Sequence, residues 1–257
     1  MSRTNRSPIR RGLELTGPMQ NYVDLHRHAA VRCRFLDHPA IALRLMVAHA
    51  IAGSSLWQVR REPQRAANET VAASLAASKA EAAFAEKRRE VLALLGQSDE
   101  DGPLAGGNGD AFALANVFAR LLALSDDDVL RVLAIVMAET LEAGSAVIEA
   151  LGNHLSVDMA AFWQPDDGFF ELLRGRDIAN LMLADIGGKP VADGNVSEKV
   201  KTQKKIIRDF LAGENGREKV ETWLPRWMKF PAESYTNRGG FRTADHWAKV
   251  RHLFVSE

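Results

Sequence analysis

The chain has 257 residues, which is enough for one large domain or two small ones. Its 33 Lys and Arg residues balance 33 Asp and Glu residues, so no net charge attracts the whole molecule to nucleic acid or to a membrane surface. The single cysteine, Cys33, excludes an intrachain disulfide and is typical of a reducing compartment. No apolar run reaches the length of a membrane span. We therefore expect a cytoplasmic protein without membrane contact.

Helical periodicity dominates the sequence, because Ala and Leu recur at helical spacing and runs of alternating β-branched residues are missing. Residues 1–18 are predicted to form a disordered basic arm, which contains Arg3, Arg6, Arg10 and Arg11. We expect the first helix over residues 22–35. A second helix is predicted to begin near Pro39, since proline is tolerated in a first turn, and to end at Gly53.

Capping patterns indicate the next two helices. Asn68 is placed to cap a helix that runs to about residue 75. Ser78 and Glu81 have the capping-box spacing, in which each side chain bonds the other's free backbone amide. The helix that follows them is expected to end at Gly96.

The clearest break in the helical pattern is segment 98–110, SDEDGPLAGGNGD, which is acidic and then glycine-rich. Such a composition does not hold a helix, so we predict a linker there. The sequence thus predicts an all-α protein, a multi-helix bundle. Two helical subdomains, residues 19–97 and 111–257, are expected on either side of this linker.

Beyond the linker, Ser125 and Asp128 have capping-box spacing and predict a helix to about residue 142. A further helix is expected to end at Gly152. Three more are predicted over residues 165–173, 177–186 and 197–211. Asn215 is expected to cap a helix that Pro225 ends or kinks, with Glu218 as its capping-box partner. A last helix is predicted over residues 243–254.

Residue patterns typical of catalysis are missing. His26 and His28 lie about 200° apart around a helix, so they cannot hold one metal ion together. Cys33 lies between two arginines, which can lower the pKa of a thiol, but it has no identifiable base partner. The glycines of segment 106–110 follow no strand and precede no lysine, so they form no phosphate loop. We predict no catalytic residue, no metal and no cofactor, and hence a protein that is not an enzyme.

A basic helix near residue 200 is the one feature that indicates binding. At 100° per residue, four cations share one face of this helix: Lys201, Lys204, Lys205 and Arg208. Four like charges repel one another unless an anion is near, so phosphate of a DNA backbone or an acidic partner would stabilise them. The alternative is a solvated outer face whose lysine stems cover the edge of the core.

Two tryptophans, Trp223 and Trp227, flank Pro225 shortly after this helix. Such a pair can stack on nucleotide bases or enclose a ligand. The commoner reason for it in an alanine-rich helical protein is to fill a core that small side chains leave thin. We therefore favour a role of both tryptophans in the core.

Several long blocks resemble one family. GRDIANLMLADIGG, SEKVKTQKKIIRDFLAGENGR and VETWLPRWMKFP are similar to the C-terminal region of large ParB-like partition proteins found in alphaproteobacteria and their plasmids. NYVDLHRHAAVR, HPAIALRLMVAHAIAGSSLWQVRREPQR and AAFAEKRREVLALLG resemble the middle region of the same proteins. The resemblance covers residues 20–240.

The resemblance implies a helical C-terminal module of the kind that partition proteins use for self-association, DNA bridging or partner contact. Family members also carry an N-terminal ParB/sulfiredoxin-like domain with a nucleotide site and a helix-turn-helix, and this chain matches neither. It therefore inherits no nucleotide-binding or catalytic residue, and is expected to be a short paralogue or a fragment. The alternative is a protein-interaction adaptor that associates with a full-length partition protein without binding DNA.

Overall fold

The computed structural model describes residues 14–42, 62–98, 104 and 119–254. Within these residues the chain forms α-helices and short 3-10 turns and no β-strand. The predicted all-α class is confirmed. The predicted linker at 98–110, the helix end at Gly53 and the arginines before residue 14 lie outside the described residues, apart from Ser98 and Leu104.

Eleven α-helices have bounds within the described residues, and residues 39–42 and 119–122 are helical as well. In chain order they are α1 Gly17–Phe35, α2 Glu69–Ala76, α3 Lys79–Leu94, α4 Asp126–Ala138, α5 Ala146–His154, α6 Met159–Phe162, α7 Asp167–Leu172, α8 Arg176–Gly187, α9 Lys189–Gly194, α10 Val200–Ala212 and α11 Arg242–Val250. Two 3-10 turns cover Arg226–Met228 and Arg251–Leu253.

Helix α1 is the central element of the fold. It contacts α2, α3 and α4, and it also contacts α5, α6, α7 and the 3-10 turn at Arg226–Met228. A helix that is enclosed on all sides normally carries apolar residues all round. Here α1 instead buries five polar side chains, Gln20, Asp24, His26, Arg27 and His28. The two predicted subdomains thus both contribute neighbours to α1, and the boundary between them at the linker stays a prediction.

Buried polar groups need partners, and α1 finds them far away in sequence. Arg27 forms an ion pair with Glu149 of α5 and donates to the carbonyl oxygens of Trp227, at 2.8 Å, and Lys229. Its guanidinium also lies 4.0 Å from the ring centre of Phe230. One buried cation therefore joins α1 to α5 and to the C-terminal segment.

The start of α1 corrects the predicted arm. Thr16 caps the helix by accepting a hydrogen bond from the Met19 amide at 3.3 Å, so the helix begins at Gly17 and residues 14–18 are folded. Glu14 is buried and accepts hydrogen bonds from Trp227 Nε1 at 2.9 Å and from the Tyr235 amide at 2.8 Å. Partners more than 200 residues away, which no local pattern shows, hold this stretch in place.

Several predicted helix starts and ends are confirmed. The side chains of Asn68, Ser78, Ser125 and Asp166 each accept a hydrogen bond from the first turn of the helix they precede. The helix predicted over residues 197–211 is α10, and Gly213 follows its last residue with a backbone φ of 73°, which a glycine adopts without a Cβ penalty. Only one half of the predicted capping box at Ser78 forms. The Ser78 hydroxyl accepts the Glu81 amide, but the Glu81 carboxylate bonds Arg32 and not the Ser78 amide.

Two predicted helix features are wrong. Gly152 does not end its helix, since α5 continues to His154 and Phe230 packs directly on the glycine. Asn215 caps no helix, because the residues between α10 and the 3-10 turn at Arg226–Met228 are not helical. Its side chain donates backwards to Asp209 Oδ1 at 2.9 Å, and the Val220 amide bonds the Phe210 carbonyl at 2.9 Å. These contacts fold the segment back onto α10.

Candidate functional site

The candidate site is a groove between α7 and α10, with a volume of about 620 Å³. We call it the α7–α10 groove. All four cations of the predicted basic face line it, and so do three residues of α7 and one threonine. The lining residues are Asp167, Phe170, Glu171, Lys201, Thr202, Lys204, Lys205 and Arg208.

Helix α7 is fixed by a buried hydrogen-bond network before it reaches the groove. Asp166 accepts a hydrogen bond from the Phe169 amide at 2.7 Å and another from the Tyr22 hydroxyl at 2.7 Å. Its second oxygen accepts the Ser74 hydroxyl. One carboxylate therefore caps α7 and joins it to α1 and α2, which makes this wall of the groove part of the core.

This network also contains a serine next to a histidine. Ser74 Oγ lies 2.8 Å from His26 Nε2, beside a cavity of about 200 Å³. The Ser74 hydroxyl has only one proton, which it donates to the Asp166 carboxylate, so His26 acts as donor to Ser74 Oγ. Burial lowers the pKa of His26 to about 4, partly offset by Asp166. The ring is neutral, and the nitrogen next to Ser74 carries a proton and cannot accept another one. The two residues are therefore part of the hydrogen-bond network of the core, and His26 does not activate Ser74 as a nucleophile.

Helix α10 forms the other wall of the groove. Ile206 and Ile207 are buried, and α10 contacts α8. Gln203 is fully buried and donates to Asn180 Oδ1 of α8 at 3.3 Å and to the Asn195 carbonyl at 3.0 Å. The apolar side and this amide fix the rotation of α10, so the predicted cationic face points into the groove.

Two of the four cations are occupied by contacts within the protein. Lys204 Nζ donates to the Leu173 carbonyl at 3.0 Å and to the Phe170 carbonyl at 2.5 Å, at the end of α7. An ammonium group there satisfies carbonyls that the helix leaves free and opposes its negative dipole end. Burial, with Arg174 and Arg208 nearby, lowers the pKa of Lys204. Lys204 is thus a structural link between the two walls.

Arg208 is the second occupied cation. Its guanidinium is 2.7 Å from Asp167 Oδ1 and lies 4.2 Å from the ring centre of Phe170. The Asp167 side chain is 93% exposed, so water and salt weaken this pair. Arg208 can therefore exchange Asp167 for another anion at small cost, while the stacking on Phe170 keeps it in place.

Lys201 and Lys205 are the free cations of the groove. Both are exposed, and neither has a hydrogen bond or ion pair with another described residue. They lie four residues apart on one helix, about one turn from each other along the axis. The face predicted from sequence is therefore present, but only half of its charge is unoccupied.

The tryptophans belong to the core, as predicted. Trp227 is 1% exposed, and its ring lies 5.3 Å from the Tyr235 ring in an edge-to-face arrangement. Trp223 is 8% exposed, and its ring lies 6.5 Å from the Phe169 ring. Neither presents a free face to a nucleotide base. Their effect on the α7–α10 groove is indirect, since Trp223 packs beneath α7.

The remaining residues weighed from sequence also lie in the interior. His26 and His28 are each 3% exposed and line two different cavities. Cys33 is buried, and burial raises the pKa of its thiol in spite of the neighbouring cations. Among the residues that the structure describes, no group of three or more His, Cys, Asp or Glu side chains is placed to share a metal ion.

Comparison of the chain with known proteins gave no match. The chain was compared with models of protein families, with curated proteins and with solved structures, and none of them matches it. The helices in the described part of the chain are too short or too polar to cross a membrane.

Proposed function

We propose that the protein is a non-enzymatic, cytoplasmic helical module, similar to the C-terminal part of ParB-like partition proteins, that binds the DNA backbone through the α7–α10 groove. The observation that supports this most is the pair Lys201 and Lys205, which are exposed side by side at the edge of the groove and have no partner among the described residues. Arg208 lies next to them in an exposed pair with Asp167.

The chemistry of the groove favours phosphate over bases. Exposed ammonium groups bind phosphate as point charges, and contacts to phosphate carry no sequence information. Asp167 and Glu171 line the same groove and limit its net positive charge. We therefore expect weak binding to duplexes of any sequence, with an affinity that falls steeply as salt rises.

A charge-reversal experiment tests this proposal. The double variant Lys201→Glu, Lys205→Glu is compared with Lys189→Glu, Lys249→Glu, which changes the total charge equally at exposed positions outside the groove. Fluorescence anisotropy with a short labelled duplex of arbitrary sequence at low salt measures how much of the DNA each variant binds. We expect the groove variant to lose binding and the control to keep it. Equal retention by both variants contradicts the proposal.

A second candidate function is a protein-interaction adaptor that binds no DNA. It is favoured by an apolar edge behind α11, where Leu253 is 69% exposed and Phe254 is 52% exposed. Phe254 stacks on Trp247, with ring centres 6.1 Å apart. Exposed apolar side chains next to one another are typical of protein contacts. This edge supports self-association or contact with a full-length partition protein.

Light scattering after size exclusion separates the two functions. The adaptor predicts an oligomer, alone or with a full-length ParB-like protein, that Leu253→Ser, Phe254→Ser disrupts. Leu122→Ser is the matched control, because Leu122 is also 69% exposed but lies away from α11 in sequence. An unchanged mass for the double variant, together with DNA retention by the wild type, contradicts the adaptor.

A further inference from the structure

One end of the α7–α10 groove carries an ion pair between its two walls. Asp167 is the first residue of α7, and its Oδ1 lies 2.7 Å from Nη2 of Arg208 on α10. Both side chains line the groove. A DNA phosphate that enters the groove therefore meets a cation that already has an anion beside it.

The wall of the groove holds the Arg208 guanidinium in a fixed position. Its central carbon lies 4.2 Å from the ring centre of Phe170, which is 3% exposed. Phe170 belongs to α7, whose start is joined to α1 and α2 by the hydrogen bonds of Asp166. A guanidinium that stacks on a ring keeps the N–H groups at its edge for an anion. Arg208 is thus ordered before any ligand binds, and Asp167 is the anion at its edge.

Asp167 holds Arg208 only weakly. The Asp167 side chain is 93% exposed and that of Arg208 is 45% exposed, so water and salt screen the pair. The two walls are joined more firmly by Lys204, which donates to the carbonyl oxygens of Phe170 and Leu173. The Asp167–Arg208 pair can therefore open without separating α7 from α10.

A DNA backbone is a stronger partner for Arg208 than one exposed carboxylate. Phosphate and carboxylate oxygens accept from the guanidinium in the same geometry, so one can replace the other. Lys201 and Arg208 lie about two turns apart on α10, roughly 10 Å along its axis. One DNA strand carries about three phosphates over that distance. A single strand thus matches three cations, Lys201, Lys205 and Arg208, whereas Asp167 matches one.

We propose that Asp167 competes with the DNA backbone for Arg208, an inference that rests on the proposed DNA contact of this groove. In the free protein Asp167 occupies Arg208. In the complex a phosphate takes its place, which makes Arg208 the third phosphate contact beside Lys201 and Lys205. Opening the Asp167–Arg208 pair lowers the affinity, so Asp167 regulates how tightly the groove holds DNA.

A double-mutant cycle on the full chain tests this exchange. The affinity for a short labelled duplex of arbitrary sequence is measured by fluorescence anisotropy. Asp167→Asn should tighten binding about threefold, because an exposed ion pair no longer has to open. The same substitution in an Arg208→Gln background should bring no gain, since the two residues act as one pair. Equal gains in both backgrounds would mean that Asp167 does not act through Arg208, and would overturn the proposal.

Glu171→Gln is the matched control. Glu171 is exposed and lines the same wall of the groove, but it has no ion pair with Arg208 in the described structure. Removing its charge should tighten binding less than Asp167→Asn does, and an equal gain contradicts the proposal. Arg208→Gln alone should lower the slope of log affinity against log salt concentration by about 0.9. An unchanged slope would exclude Arg208 from the phosphate contacts.

The same measurements distinguish a failure of this exchange from a failure of the DNA contact itself. A wild type that binds no duplex at low salt, or a Lys201→Glu, Lys205→Glu variant that binds as the wild type does, contradicts both. DNA binding that depends on the two lysines but does not gain from Asp167→Asn contradicts only the competition for Arg208.

Discussion

The interior of α1 and the surface of α10 both carry several charged groups, but the two regions use them differently. On α1, Arg27 is 1% exposed and all its contacts are within the protein. On α10, Lys204 and Arg208 are drawn into contacts with α7, while Lys201 and Lys205 face solvent. Charge in the interior fixes the fold, and only the charge left over on the surface is available to a partner.

The energies of the two regions differ for the same reason. Removing one member of a buried ion pair leaves an unpaired charge at low dielectric, whereas an exposed pair is screened by water. A cationic face read from sequence therefore overestimates the charge offered to a ligand, because some members already bind carbonyls or carboxylates of the same chain.

The largest expected effect comes from breaking the buried pair. We expect Glu149→Ala to lower the free energy of unfolding by about 3–5 kcal/mol, because Arg27 keeps its charge without a carboxylate. Asp167→Asn, which removes the exposed partner of Arg208, should change it by less than about 1 kcal/mol. Urea unfolding followed by circular dichroism measures both. Equal effects of the two variants would show that the contrast between interior and surface is wrong.

A second prediction concerns packing around the same region. A Cβ atom on Gly152 would lie 2.2 Å from Phe230, whose ring stacks on Arg27. We expect Gly152→Ala to cost about 1–3 kcal/mol of unfolding free energy through overpacking. At Gly194 nothing lies within 4 Å of the added carbon, so Gly194→Ala is the control and should stay within about 0.5 kcal/mol. Thermal unfolding of the pair decides whether Phe230 is held as described.

The third prediction uses pH. His26 has its pKa lowered to about 4 in the folded protein, against about 6.5 when unfolded. The unfolded state therefore binds the extra proton as pH falls below 6.5, and the stability drops by about 2 kcal/mol between pH 7 and pH 5. His26→Gln keeps an N–H for Ser74 but does not titrate, so its stability should fall by about 2 kcal/mol less over this range.

Other buried groups titrate as well, and the comparison of wild type with His26→Gln removes their effect. His28 acts in the same direction as His26, whereas the raised pKa values of Asp24 and Glu149, caused first by burial, act in the opposite direction. These groups are present in both proteins. Identical pH profiles for the two would mean that His26 is not held neutral in the core.

The smallest expected effect separates two lysines of α10. Lys204→Met should lower stability by about 0.5–1 kcal/mol, because the carbonyls at the end of α7 lose their cation. Lys201→Met should leave stability unchanged and weaken DNA binding. Urea unfolding and fluorescence anisotropy, measured on both variants, test whether Lys204 contributes to stability and Lys201 to DNA binding. If Lys204→Met were as stable as the wild type, the ammonium of Lys204 would not stabilise the end of α7. Lys204 would then be available to contact DNA.

Local features of the fold were predictable from sequence. The caps Asn68, Ser78 and Ser125 lie within three residues of the amides they bond, so spacing alone identifies them. The cationic face of α10 was predictable for the same reason, since it depends only on helical periodicity. All-α composition followed from the absence of strand patterns.

Features that depend on distant partners were not predictable. The start of α1 is held by Glu14, whose partners lie at the other end of the chain. A glycine near the end of a helical pattern predicts a helix stop, but Gly152 lies inside α5 because Phe230 packs on it. The local sequence pattern does not show this distant contact. The hydrogen bonds of Lys204 to the carbonyls at the end of α7 could not be predicted either. A backbone carbonyl has no sequence signature, so its hydrogen bond with a lysine can be recognised only in the folded structure.

The salt dependence of DNA binding tests the central proposal most directly. Each cation that meets a phosphate adds about 0.9 to the slope of log affinity against log salt concentration. Neutralising two contacts in Lys201→Gln, Lys205→Gln should therefore reduce the slope by about 1.8, while Lys189→Gln, Lys249→Gln should leave it unchanged. An equal slope for wild type and the groove variant would contradict the proposed interface.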